Sequence, residues 1–470
     1  MRVVVISTLG RLLLPEDFGV VAAAVSVMVI LHQFRDAGIG PALIQRAEVT
    51  TEHVATTFAV MTYLGLGIAI LMIVTAPLIG DLYNIPESVD ILRAFAALFV
   101  FRGIGTASLV MCQRAMNFRA VALIDSASYL AGAGVSITLA VRGAGPWSLV
   151  GGYFAEELIS MVLYLRAYPP PFTLKVSWAR LRELLGFGAS QSLIQIANVF
   201  ALYGDNYVVG STLGKEALGY YARAYDLLKL PAAIFTNVVG NVLFPAFSRL
   251  QDDRARLASG YRRITFINGL VLFPASAALI VAAPEAIRIL MGPGWDNAVL
   301  PFRVLAITMM FRTHYKVAAM IASAAGHVHR VAIVNVIYLV CVITGALIGV
   351  QWNIVGVAIS TASSLCVFYV LCSALALRSS LLPLRDFILA HVPGAVLAVL
   401  IGVPLWFLAE YMRATAQPFV LTFVLVAIVG IGLSLVRVWF GVRGKAGDFA
   451  WLGSELARVI KRKRPAAPPP

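Results

Sequence analysis

Two arginines stand near the middle of long apolar runs: Arg102, within the stretch from Ile91 to Met111, and Arg312, within Ala298 to Ala324. An ionisable side chain inside an apolar run of spanning length is costly enough to signal function by default. Guanidinium binds phosphate through a planar fork, so two of them facing one cavity suit a phosphate-bearing substrate. The competing expectation is that each pairs with an acid or with carbonyls of a neighbouring helix and holds the structure together. A second group gathers Asn198, Asp205 and Asn206, followed by Arg223, Asp226 and Lys229, with Tyr203, Tyr207, Tyr221 and Tyr225 interleaved. Asp205 and its two asparagines could ligate a coupling cation such as sodium or take up a proton, and equally Asp205 could pair with Arg223. Arg35-Asp36, followed by Gly38 and Gly40, reads first as a local pair where helices approach closely, with Asp36 kept as a candidate cavity residue. Lys316 is a further candidate; it, His314 and His32 are single polar residues in apolar helices, and Glu156-Glu157 are either proton sites or contacts between helices. Arg93 and Arg303 lie nearer the interface, where long side chains snorkel.

Other chemistries lack their residues. There is no G-x-x-x-x-G-K-[ST] loop and no H-E-x-x-H, so neither nucleotide hydrolysis by that route nor zinc proteolysis is expected. Cys112, Cys341, Cys366 and Cys372 sit singly in apolar segments, without metal or disulfide spacing. No metal and no cofactor is expected beyond a coupling ion, and no catalytic residue is assigned. The formal charge of +14 comes from loops between apolar runs, which points to membrane topology and away from nucleic acid.

The elements that position these residues are membrane helices. The chain has 470 residues, 60% hydrophobic and 13% charged, with mean hydropathy +0.87, against roughly one-quarter charged for soluble domains. Runs of about 20 apolar residues select helices, which satisfy every backbone group within lipid. About thirteen full spans follow a partial one before Pro15, read as the outer half of a truncated first helix. Loop arginines and lysines alternate rich and poor at roughly three to one, which sets the rich side and the C-terminus in the cytoplasm. Trp147, Trp295, Trp352, Trp406 and Trp439 fall near span ends, where interfacial aromatics gather.

An internal repeat orders the spans. Pro15-Glu16-Asp17-Phe18-Gly19-Val20-Val21-Ala22 recurs as Lys215-Glu216-Ala217-Leu218-Gly219-Tyr220-Tyr221-Ala222, and Arg93 to Arg102 matches Arg303 to Arg312. An offset of about 200 residues, an even number of spans, sets both copies the same way up. The expected fold is therefore all-α and polytopic: two parallel six-helix lobes about a pseudo-two-fold along the membrane normal, plus two C-terminal helices, on a plan of about fourteen. Its expected segments are an N-lobe at 1–165, a cytoplasmic linker at 166–183, a C-lobe at 184–377, two further spans at 378–440, and a basic, Pro-rich cytoplasmic tail at 441–470. Such a pair of bundles implies a rocking transporter with a site between lobes.

The sequence resembles the polysaccharide-transport branch of the MOP exporter superfamily, the Wzx-type flippases, and within it the colanic acid and succinoglycan subgroup. The segments that carry this are Arg11 to Gly19, Asp36 to Arg46, Gln113 to Arg119, Leu181 to Gly188 and, above all, Asp205-Asn206-Tyr207 through Leu218 to Arg223 and on to Pro245 and Asp253. The resemblance implies an inner-membrane transporter rather than an enzyme, moving an undecaprenyl-diphosphate-linked oligosaccharide across the bilayer through a cationic cavity. An ion or proton gradient would drive it, and polysaccharide polymerase and glycosyltransferases would be its partners alongside membrane lipids. The competing expectations are a cation-coupled drug or metabolite antiporter of the same superfamily and, behind it, a membrane glycosyltransferase or polymerase. The short outward loops speak against the last.

Overall fold

The computed structural model describes residues 2–35, 39–46, 48–185, 189–238 and 254–443. Asp36, the stretch from Pro245 to Asp253 and the basic tail lie outside the described residues. Among the described residues every regular element is helical. Among the described residues nine segments are long and apolar enough to cross a membrane, one of them a 53-residue stretch over Val328–Ser380. The chain is a multi-pass α-helical membrane protein.

In chain order, α1 (Arg2–Leu12) is short, and α2 (Pro15–Arg35) starts with proline at its first helical position, where a missing N–H costs nothing. Asp17 accepts the Leu14 backbone N–H at 2.9 Å and so caps the same end. The first half continues with α3 (Ile39–Gln45), α4 (Thr51–Tyr83), α5 (Ser88–Arg114), α6 (Phe118–Val141), α7 (Trp147–Ala167) and the short α8 (Trp178–Leu185). Where the sequence suggests two spans, the chain forms α9 (Ala189–Val238), interrupted at Gly214 with φ 85° and ψ −179°, a backbone open to glycine. The Tyr221 hydroxyl lies 2.6 Å from Asp205 across 16 residues, which in a straight helix would be about 24 Å apart, so the two arms of α9 lie side by side. Next come α10 (Arg254–Val281), α11 (Ala283–Met291), α12 (Val299–Ile307) and α13 (Met309–Ala324). Thr308 divides α12 from α13 where one span is expected, its hydroxyl bonding the Leu305 carbonyl at 2.7 Å. The chain then forms α14 (Val328–Gly349), α15 (Asn353–Ser380), α16 (Leu384–Ala414) and α17 (Phe419–Arg443).

The chain divides into two compact units. Unit 1 comprises Met1–Asp226, Leu290–Pro301 and Ala332–Ser364; unit 2 comprises Leu227–Ile289, Phe302–Val331 and Leu365–Pro470. In unit 2, α10 and α16 pack around Phe266, Leu270, Leu397, Ile401 and Leu405. There Arg413 donates through two nitrogens to Glu285, both at 2.8 Å, and also reaches the Val281 carbonyl. In unit 1, Glu183 of α8 accepts from Arg46 and lies 3.3 Å from His53, while Arg180 donates to Glu52 at 3.0 Å, which ties α8 to α4.

The two repeat copies touch within unit 1. A Cβ on Gly19 would overlap the Lys215 carbonyl, and a Cβ on Gly219 would overlap the Pro15 carbonyl. Pro15 and Lys215 are equivalent positions, so the contact is reciprocal, as a local two-fold requires. Small residues let helix backbones approach this closely. Gly19→Ala and Gly219→Ala should each cost about 1–3 kcal/mol by overpacking, read as a lowered thermal unfolding midpoint of the purified protein. Gly134→Ala, where nothing lies within 4 Å, should leave the midpoint unchanged.

Candidate functional site

Asp205, on the first arm of α9, is 1% exposed. Burial of a carboxylate demands hydrogen bonds, and three groups from α9 and α15 supply them. The Tyr221 hydroxyl, from the second arm, donates to Oδ2 at 2.6 Å, and the Thr361 hydroxyl of α15 lies 3.4 Å from the same oxygen. The Asn206 N–H donates to Oδ1 at 2.9 Å, while the Asn206 side chain donates to Ser26 of α2 at 3.1 Å. Ser26 in turn donates to the Ala22 carbonyl at 2.8 Å. Asn198, one level along the same arm, donates to Asn335 of α14 at 3.3 Å. Groups from both arms of α9 and from α15 thus meet one buried acid, and Asn206 extends the network to α2. Tyr221 stands among the tyrosines already singled out in the sequence, whereas Thr361 and Ser26 carry no signal of their own there.

Arg223 lies two residues after Tyr221. It pairs with Asp226 at 2.9 Å, and its guanidinium sits 4.9 Å from the centre of the Phe18 ring. Phe18 meets Trp295 edge-on at 5.4 Å, and the indole N–H donates to the Gly10 carbonyl at 3.0 Å. Trp295 was expected among interfacial aromatics. It is 1% exposed instead, because the segment carrying it packs on α1 and α2, whereas Trp147, Trp352 and Trp406 are exposed as expected. Beside this cluster Lys215 bridges Glu87 at 2.8 Å and Glu16 at 3.4 Å.

Arg102 lies at the middle of α5 in unit 1 and donates to Glu157 of α7 at 2.7 Å, its side chain 45% exposed. An ion pair with a neighbouring helix was one of the two arrangements expected of this arginine, and its side chain also faces open space. Arg312 belongs to α13 in unit 2 and is 7% exposed. Lys316 follows one turn later on the same face and is exposed. His314, expected as a single polar residue, belongs to a network built from four helices. Thr265 gives its proton to the Tyr261 carbonyl at 2.8 Å, so its oxygen accepts from His314 Nε2–H at 3.1 Å. His391 Nδ1–H donates to the Phe387 carbonyl at 2.8 Å and Nε2 accepts from the Tyr369 hydroxyl at 2.7 Å. The two imidazole centres are 5.8 Å apart.

Paired repeats, a buried acid and charged groups at mid-span are thus set in one multi-pass α-helical fold. The fold is shared with solved transporters. The structure aligns with a lipid II flippase, MurJ, in an inward closed conformation, with TM-score 0.73 at 14% identity, covering 94% of this chain and 96% of that one. It aligns with an inward-facing multidrug resistance MATE family transporter of the MOP superfamily with TM-score 0.60 at 15% identity, covering 82% and 94%. The family described as polysaccharide biosynthesis protein matches residues 8–300, more than half of the chain, and the chain belongs to that family. Among its relatives, the lipopolysaccharide biosynthesis protein WzxC of Escherichia coli (strain K12) is 24% identical over 67% of this chain and 64% of its own length. The succinoglycan biosynthesis transport protein ExoT of Rhizobium meliloti (strain 1021) is 28% identical over 66% and 62%. The matched region therefore spans under two thirds of either relative.

Two outcomes test this geometry. Tyr221→Phe removes a hydrogen bond to a buried acid and should destabilise the protein by about 1.5–3 kcal/mol, measured by denaturant unfolding in detergent, whereas Tyr207→Phe on the exposed side should not. The hydrogen bond from Lys215 holds Glu87 below the ordinary carboxylate range, and the same bond raises Lys215. The carboxylate's contribution is then present above its unfolded value and is lost as pH falls through the lowered one. The thermal midpoint of wild type should drop more steeply below pH 4.5 than that of Lys215→Met; parallel curves would contradict the clamp.

Proposed function

We propose that this protein is a flippase that carries an undecaprenyl-diphosphate-linked oligosaccharide repeat unit from the cytoplasmic to the outer leaflet of the inner membrane, for exopolysaccharide, capsule or lipopolysaccharide synthesis. The observation that carries the reading is membership of a polysaccharide biosynthesis family on a fold shared with a lipid flippase. The names of the relatives, a lipopolysaccharide biosynthesis protein and a succinoglycan transport protein, support the same substrate class.

The amphiphile sets the chemical task. Its lipid tail can stay in hydrocarbon, while the diphosphate and sugars need a polar path past the midplane. Arg312 and Lys316 are the cations we assign to the diphosphate, since guanidinium offers phosphate a bidentate fork. Asp205, with Asn198 and Asn206 close by, is the group we assign to the coupling proton or sodium ion; a buried acid can exchange either. The excess of basic residues in alternate loops supports a cytoplasmic C-terminus. Glycosyltransferases that build the repeat unit and a polymerase that consumes it are the partners this substrate requires.

The test is export. With the gene deleted, surface polysaccharide should be lost and lipid-linked oligosaccharide should accumulate; a plasmid copy restores export. Arg312→Ala should lower export at least tenfold at wild-type membrane level, and Arg312→Lys should restore only part, because a lysine has no fork. Unchanged polysaccharide in the deletion strain would remove the proposal.

A further inference from the structure

Between α5, α6 and α7 of unit 1 lies a cavity of about 390 Å³, within the range of small-ligand sites. Its wall includes Arg102, Asp125, Ser128, Glu156, Glu157 and Tyr164. We propose that this cleft holds saccharide, the sugar part of the lipid-linked substrate; the inference rests on the flippase reading and adds where the sugars are bound.

Three features lead there. First, Arg102 is at mid-helix and its side chain is 45% exposed. A charge is costly against lipid at that depth, so the exposed face belongs to a watered cleft. Second, the polar groups are held in place: Arg102 donates to Glu157 at 2.7 Å, and the Tyr164 hydroxyl donates to Asp125 at 2.6 Å. Third, Ser128 lines the cleft, and its buried hydroxyl has no hydrogen-bond partner in the protein. Buried polar groups are normally satisfied, and a rotation about χ1 that turns this hydroxyl toward the cleft would give it a ligand oxygen as partner.

The charge balance selects the ligand. Three carboxylates face one guanidinium, so a phosphate is repelled and the diphosphate must lie elsewhere. Carboxylates accept hydrogen bonds from hydroxyls, and the guanidinium and serine donate back, a mixture suited to a polyol with adjacent hydroxyls. Phe101 lines the same cleft and meets Phe154 edge-on at 6.0 Å, which gives the C–H face of a pyranose an apolar partner.

The experiment has two arms. In the full chain, with its four cysteines replaced by alanine, Ser160→Cys on the cleft wall is labelled with a small water-soluble methanethiosulfonate in nanodiscs. Lactose should slow labelling at least fivefold, and sodium pyrophosphate and choline chloride should not. No slowing by lactose, or slowing by pyrophosphate or choline alone, overturns the proposal. In cells, Asp125→Asn/Glu156→Gln should export at least tenfold less polysaccharide than wild type at equal membrane level. Glu156→Asp, which keeps the acceptor, guards against misfolding and should retain most export. If deletion of the gene leaves export intact, the flippase reading fails; if deletion abolishes export while the double variant exports normally, the saccharide cleft alone fails.

Discussion

Backbone meets backbone where Gly19 and Gly219 cross, and much of unit 1 is arranged around that contact. With no hydrophobic driving force between helices in lipid, close van der Waals packing must hold them, and only a residue without a side chain allows carbonyl and Cα to meet there. The consequence reaches along both helices. Phe18, next to one glycine, supports Arg223 and Trp295; Tyr221, two residues beyond the other, delivers its hydroxyl to Asp205. Lys215, the residue whose carbonyl receives Gly19, uses its side chain to bridge two acids.

Away from that contact, several charged and aromatic polar side chains are met across helices, while most hydroxyls bond carbonyls of their own helix. Asp205 takes hydrogen bonds from α9 and α15, Arg413 clasps Glu285, and His391 exchanges with Tyr369. Removing one partner of such a pair leaves a buried group unsatisfied, which costs more than the bond itself contributes. These interactions therefore specify which helices neighbour which, a task that apolar surfaces alone, interchangeable with lipid, perform poorly.

The class of fold and the repeat were legible in the chain because apolar run length and the non-apolar residues that interrupt it are local signals. Glu16, Gly19, Glu216 and Gly219 stand out against apolar composition, and the two glycines meet in the structure. Asp205 was legible as a suspect for the same reason. Its partners were not: Thr361 is 156 residues away and Ser26 lies 180 from Asn206, and a serine or threonine in a membrane helix is ordinary. Trp295 shows the converse error. Nearness to a span end suggested an interfacial tryptophan, but whether a connecting segment folds inward depends on tertiary packing that periodicity does not encode. The acid that Arg102 would pair with was not legible either, because Glu157 is 55 residues away on another helix.

The two copies enter their paired helices by opposite means. The first uses Pro15, which restricts its own φ before folding begins; the second uses Gly214, at φ 85°, which leaves the unfolded chain free and is ordered only on folding. The proline copy carries its φ restriction in its own ring, while the glycine copy gives up more conformational entropy on folding. A graft of one turn into the other would not be neutral, because it would move conformational entropy from one half of the repeat to its twin and remove the lysine that bridges Glu16 and Glu87.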